Sequence, residues 1–142
     1  MEIKNISISD YDDLIELWRH AGLPIKLEGR DARNALVKQL ESFPELFIGG
    51  FDDGKLIASV IGSDDGRKGW INRLAVRLEY RNKGIARRLL NEMEKRLHKR
   101  GRKIICVLIE EWNKQSITFF KKNKYVLHKD IYYCSKREGA EV

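Results

Sequence analysis

The sequence predicts an α/β (α+β) chain: a mixed sheet, antiparallel in its N-terminal meander, with a parallel central pair of strands and flanking helices. Three observations carry that prediction. Apolar runs at Leu46–Phe51, Leu56–Gly62 and Trp70–Val76 are separated by short turn sequences, the first built on Asp53-Gly54 and the second at Ser63–Gly69. Asp-Gly between two apolar runs marks a tight hairpin. After the third run, Ile85, Leu89, Met93 and Leu97 recur at helical spacing, and the β-branched run Ile104–Ile109 follows them. A strand–helix–strand unit of this kind is a right-handed crossover with parallel strands.

The remaining elements are read in order. A first helix is expected from about Asp10 to Ala21, capped by Ser9, with Tyr11, Leu14, Ile15, Trp18 and Ala21 on one face. Gly22 ends it and Pro24 prevents its continuation. The irregular loop GLPIKLEGR leads to a second helix near Asp31–Glu41, with Asp31 as cap and Leu36 and Leu40 turned inward. The third helix spans about Ile85 to Arg100, with Gly101 just past its end. Ile104–Ile109 reads as a strand buried on both faces. A helix at Lys114–Lys122 and strands around Tyr125–Cys134 complete the chain.

The 142 residues form one domain, 42% hydrophobic and 35% charged. No apolar run approaches the roughly 18 residues of a membrane span. The N-terminal MEIKNISISD lacks the basic-then-apolar pattern of a secretory leader, so a cytoplasmic location is expected. Cys106 and Cys134 fall in apolar or aromatic runs and are expected as buried thiols. His20, His98 and His128 show no metal-ligand spacing, and no metal is implied. The net charge of +7 is local: Arg77–Lys103 carries 11 Lys or Arg against 3 Glu, whereas the rest has 17 basic and 18 acidic residues. That field would gather a polyanion.

Its centre is Leu74–Ala86, LAVRLEYRNKGIA, where an apolar strand ends and Arg81, Gly84 and Ala86 are spaced R-x-x-G-x-A before a helix. Free N–H groups at a helix N-terminus, together with the helix dipole, make a phosphate site. Small residues at positions 84 and 86 let a ligand approach the backbone.

These residues resemble the GNAT (Gcn5-related N-acetyltransferase) superfamily. LAVRLEYRNKGIARRLL is similar to its acyl-CoA motif, Ile104–Asn113 to its fifth strand, and Asn113-x-x-Ser116-x-x-Phe119-Phe120 to the following helix motif. DGRKGWINRLAV and GLPIKLEGRD further resemble small prokaryotic, RimI-like members. The resemblance implies a GNAT fold and acetyl-CoA as cosubstrate. It places the pyrophosphate on the backbone of Arg81, Asn82, Lys83, Gly84, Ile85 and Ala86, with Lys83 or Arg87 adding charge. It places the pantetheine arm along Leu74, Ala75 and Val76, with Asn113 hydrogen-bonding from the other side and Ser116, Phe119 and Phe120 packing along it.

The implied reaction is direct attack of a neutral amine on an acetyl thioester. A lysine amine has a pKa of about 10.4 and an α-amine about 7.7–8.0, so a proton must leave first. Glu110 and Glu111, at the carboxyl end of the fifth strand, are the candidate bases, one of them facing the cleft. Another base position of the family falls at Trp70, which cannot act, and neighbouring Asn72 could hold a water. The Tyr that serves the family as acid is replaced by Phe120. Ser116, Tyr125, Tyr133 and, foremost, Tyr132 are the remaining candidates. Lys124 replaces a family glycine, with Asn123 able to take the left-handed turn.

The function expected is acetyl transfer to an amine: a protein N-terminus, a lysine or a small molecule. The acceptor side would be built from the first two helices, Gly22–Arg30 and the C-terminal strands. A homodimer is a family expectation. The rival readings are a catalytically silent acyl-CoA-binding protein, prompted by Phe120, and a basic nucleic-acid-binding domain, supported by charge alone.

Overall fold

The computed structural model describes Met1–Val142 and holds one five-stranded sheet in the order β1-β2-β3-β4-β5. Its strands are β1 (Glu2–Asn5), β2 (Phe47–Asp52), β3 (Lys55–Asp64), β4 (Gly69–Val76) and β5 (Ile105–Val107). The first four pair antiparallel and β4–β5 pairs parallel. Asp53 and Gly54, with φ of 50° and 80°, make the β2–β3 turn that their sequence foretells.

Helices cover both faces. The first, α1 (Tyr11–His20), and α2 (Arg33–Ser42) share a cluster with Phe47, Phe51, Leu56, Ile61 and Ala75. On the other face, α3 (Ile85–Lys99) and α4 (Lys114–Lys122) pack on Ile48, Ile57, Val60, Ile71 and Val76. The stripe of α3 at Leu89, Met93 and Leu97 is fully buried. Two sheet glycines let this helix approach closely. A Cβ on Gly62 would lie 2.5 Å from the Met93 sulfur, and one on Gly69 2.8 Å from a Leu97 methyl.

Several expectations are corrected. β1 was not foreseen, because Glu2 and Lys4 interrupt the apolar pattern of a strand that is mostly exposed. The chain enters α1 through a 3-10 turn over Ile8–Asp10, in which the Asp10 carboxylate accepts from the Ser7 N–H at 2.9 Å. Ser7 is the N-cap of that turn and Asp10 the N-cap of α1, so Ser9 caps neither. Asp31 does not cap α2, whose N-cap is Ala32, because its carboxylate is engaged by Arg73 and the Lys26 N–H. β5 has three residues and is an edge strand, half-buried rather than buried on both faces, with Ile104 and Leu108 exposed.

No strand forms around Tyr125–Cys134. His128, Lys129 and Asp130 break that apolar run, and the three-residue β5 offers little edge to pair with. The parallel pair therefore lies at the sheet's edge. Cys134 is exposed and Cys106 half-buried, so neither thiol is buried. After α4 the left-handed residue is Lys124 (φ 72°), not Asn123. Gly101, at φ 92°, ends α3 as expected.

The end of α3 is fastened to the sheet by charge. Asp64, at the end of β3, accepts from Arg100 Nε at 2.8 Å and lies 3.3 Å from Arg102 Nε; Arg100 also pairs with Glu45. The Arg100 hydrogen bond, against the opposing effect of burial, holds the Asp64 carboxyl below its ordinary 3.8. A depressed carboxyl stabilises the fold above its unfolded pKa and loses that contribution as pH falls through the folded value. Asp64→Asn is expected to lower Tm at neutral pH and to flatten its decline between about pH 5 and pH 3, measured by thermal melts across that range. An acid dependence identical to wild type would contradict this role.

Candidate active site

Parallel pairing of β4 with β5 is brief. It runs from Gly69–Ile105 through Trp70–Cys106 to Ile71–Val107 and then stops, although β4 continues to Val76. Beyond Ile71 the two chains part, at their carboxyl ends, where open α/β sheets take ligands. Alternate residues of an antiparallel strand bond to the same neighbour. Because Arg77 N–H donates to the Ile57 carbonyl of β3 at 2.9 Å, Ala75 also faces β3, and Leu74 and Val76 direct main-chain groups to the opened side.

A bulge lies at this parting. Ser59 pairs with Ala75 and Ile61 with Asn72, so Val60 stands opposite both Arg73 and Leu74. Arg73 takes φ 51°, a left-handed conformation that non-glycine residues seldom adopt. Its guanidinium meets both oxygens of Asp31, at 3.1 and 2.9 Å.

After Val76 the chain makes a 3-10 turn over Leu78–Tyr80, where the Tyr80 hydroxyl donates to Asp52 Oδ2 at 2.6 Å. Arg81 folds back and its Nε donates to the Val76 carbonyl at 3.0 Å, which shapes the loop. Asn82 (φ 62°) and Gly84 (φ 78°) then turn the chain into α3, with Gly84 as an N-cap that has no side chain to satisfy the helix donors. From Asn82 to Arg87, no main-chain N–H finds an acceptor in the protein. Six consecutive N–H groups without a protein acceptor thus lie at the positive end of a 15-residue helix.

Seven of the eleven cations between Arg77 and Lys103 fall into two groups. Arg77, buried, donates to the Leu56 carbonyl; Arg96 binds the Glu45 carbonyl; Arg100 and Arg102 hold Asp64. Those cations serve the fold. Lys83, Arg87 and Arg88 are exposed around the free donors, with Lys83 Nζ 5.5 Å from the centre of the Tyr80 ring.

Across the parting, the chain leaving β5 forms a turn in which Asn113 N–H donates to the Glu110 carbonyl at 2.9 Å. Glu110 and Glu111 occupy this turn rather than a strand, and both are exposed. Strand alternation therefore does not separate them. The Asn113 side-chain oxygen caps α4 by accepting from Ser116 N–H at 3.1 Å, while its amide NH2 has no protein partner. Phe119 meets Phe120 edge-on at 5.2 Å, and Phe120 is buried in the core.

The tyrosine candidates divide sharply. Tyr125 packs edge-on against Phe120 and donates to Glu94 Oε2 at 2.7 Å; burial first, then Glu94, pushes its pKa up. Tyr132 is 89% exposed and makes no hydrogen bond, and Tyr133 is exposed nearby. Trp70 Nε1 donates to Asp65, and Asn72 is exposed. Sequence reasoning missed Arg73 and Ser59 and misjudged Asp31. The available signal was Ser59 inside the apolar run Leu56–Ile61 of β3 and Arg73 beside Asn72 within β4.

Comparison with known proteins agrees with this geometry. The model of the acetyltransferase (GNAT) family matches residues 9–125. An acetyltransferase of Yersinia pestis (strain Pestoides F) is 31% identical over 125 residues, which cover 88% of this chain and 87% of that protein. The crystal structure of the PaiA N-acetyltransferase from Thermoplasma acidophilum, in complex with coenzyme A, aligns with a TM-score of 0.77 and 26% identity over 86% of this chain and 87% of that one. Naa20 of Chaetomium thermophilum, in complex with a bisubstrate analogue, shares the fold with a TM-score of 0.76 and 16% identity over 87% of this chain and 70% of that one. With a family model that spans most of its length and a relative of this identity, the chain belongs to the acetyltransferase (GNAT) family.

Proposed function

We propose that this protein transfers the acetyl group of acetyl-CoA to an amine by direct attack. The observation that carries the reading is the run of unpaired N–H groups from Asn82 to Arg87 at the N-terminus of α3. It suits a pyrophosphate because it offers several donors at once, with Lys83 and Arg87 adding charge beside it. The side of β4 at Leu74–Val76 that no strand covers suits the amide-bearing arm of the cosubstrate, which needs main-chain partners, although Arg81 already holds the Val76 carbonyl, and the free Asn113 amide can donate from the opposite side. Ser116 and Phe119, half-buried on α4, would flank it.

When bound, acetyl-CoA supplies a thioester whose C–S bond breaks as the new C–N bond forms. The protein's own work is then positioning, charge stabilisation and proton removal. The Leu74 N–H, directed into the parting, stabilises negative charge on the acyl oxygen. Glu110 or Glu111 takes the proton of the attacking amine; each is exposed at the turn beside the parting. No acid stands where Phe120 lies. A thiol has a pKa near 8.5, so its thiolate leaves with modest need of a proton, which solvent or the exposed Tyr132 supplies.

Calorimetric titration of acetyl-CoA into wild type and Gly84→Glu tests the cosubstrate. Glutamate adds negative charge at the cradle and a side chain at φ 78°. Micromolar binding lost in a folded variant is the expected result; a folded wild type that does not bind would overturn the reading, and salt-dependent RNA or DNA binding in its place would favour the basic surface. Glu110→Gln and Glu111→Gln, assayed on the best acceptor from a panel of peptide and small-molecule amines, test the base. One of them should lose about 10²–10⁴ in kcat/KM with unchanged acetyl-CoA affinity. Full activity in both variants would mean that neither carboxylate takes the proton.

A further inference from the structure

We propose that Asp31, Arg73, Ser59 and Trp18 form a positioning network that aims the Leu74 N–H at the acyl oxygen. The inference rests on the acetyl-transfer reading and goes beyond it in naming what fixes the donor.

The geometry of one peptide group carries the argument. The Arg73 carbonyl accepts from the Ser59 hydroxyl at 2.9 Å, on the β3 side. In a trans peptide the C=O and the following N–H point in opposite directions. Fastening the Arg73 oxygen towards β3 therefore turns the Leu74 N–H away from β3, into the parting of β4 and β5. A regular strand would not do this. The two-against-one bulge and the left-handed Arg73 rotate this peptide out of the ladder.

Such a conformation persists in a residue other than glycine only when its surroundings hold it. Here both ends of Arg73 are held. Its guanidinium is gripped by both Asp31 oxygens and stacks over the Trp18 ring at 4.8 Å. Its carbonyl is held by Ser59, whose oxygen in turn accepts from Trp18 Nε1 at 3.0 Å. Ser59, Trp18 and Asp31 are all buried. Asp31 is itself fixed: its carboxylate accepts from Lys26 N–H at 2.8 Å and its carbonyl from the Tyr11 hydroxyl at 2.6 Å. The network joins α1, the α1–α2 loop, β3 and β4 at the last residue before the donor.

The test reads the bound carbonyl directly and needs no acceptor. Acetyl-CoA labelled with ¹³C at the acetyl carbonyl is bound to wild type, Ser59→Ala, Arg73→Gly and Asp31→Asn. The carbonyl stretch is recorded by isotope-edited infrared spectroscopy, with affinity by calorimetry and folding by thermal melts. Arg73→Gly relieves the strain at φ 51° while removing the clamp, which keeps the test informative if Asp31→Asn fails to fold. In wild type a hydrogen bond to the oxygen should move the band below that of free acetyl-CoA.

In folded variants most of that downshift should vanish while the Kd stays within about threefold, because the phosphate cradle is separate. A wild-type downshift retained in folded Ser59→Ala and Arg73→Gly would overturn the positioning role and leave the acetyl-transfer reading intact. A folded wild type that does not bind acetyl-CoA would overturn both.

Discussion

The early parting of β4 from β5 governs the rest of the molecule. Parallel strands that stayed paired to their ends would satisfy each other's main-chain groups and leave nothing for a ligand. Here the ladder stops at Ile71 and Val107, and β4 continues for five residues with no strand on one side, where only the Val76 carbonyl is taken, by Arg81. An unpaired edge next to a covered core is a liability unless something fills it. The structure concentrates its free donors at this point, on β4 and on the loop that leaves it, so that one extended polar molecule can satisfy them together.

Charge in this chain has two separate duties that its composition merges. The stretch from Arg77 to Lys103 looks like one basic block. In three dimensions Arg77, Arg96, Arg100 and Arg102 turn back on the fold and bind carbonyls or carboxylates at the ends of β3 and the approach to β2. Arginine suits that work because its planar fork meets several acceptors while staying charged. What faces outward near the α3 N-terminus is a smaller set, Lys83, Arg87 and Arg88.

Much of this was legible in the sequence, and the failures have physical causes. The hairpin at Asp53-Gly54, the α3 stripe and the strand–loop–helix passage through Gly84 were readable because each depends on local chemistry within a few residues. Asp31 was misread as a helix cap because its partner, Arg73, is distant in sequence and known only after folding. The bulge at Arg73 was unreadable for the same reason: no glycine or asparagine announced a left-handed residue there. β1 was hidden because a strand that is mostly exposed need not look apolar. The C-terminal run was overread, since β-branched and aromatic residues form strands only where an edge receives them.

The tight fit of α3 against Gly62 and Gly69 leaves its far half no room for an added side chain beneath it. Met93 and Leu97 rest directly on the glycines, at about 12 and 18 Å along the axis from Ile85, given a rise of 1.5 Å per residue. A methyl added at either glycine would have to be met first by a shift of the Met93 or Leu97 side chain, the contacts that seat the far half of the helix on the sheet. The seating of α3, whose N-terminus carries the free N–H groups, thus depends on two residues without side chains.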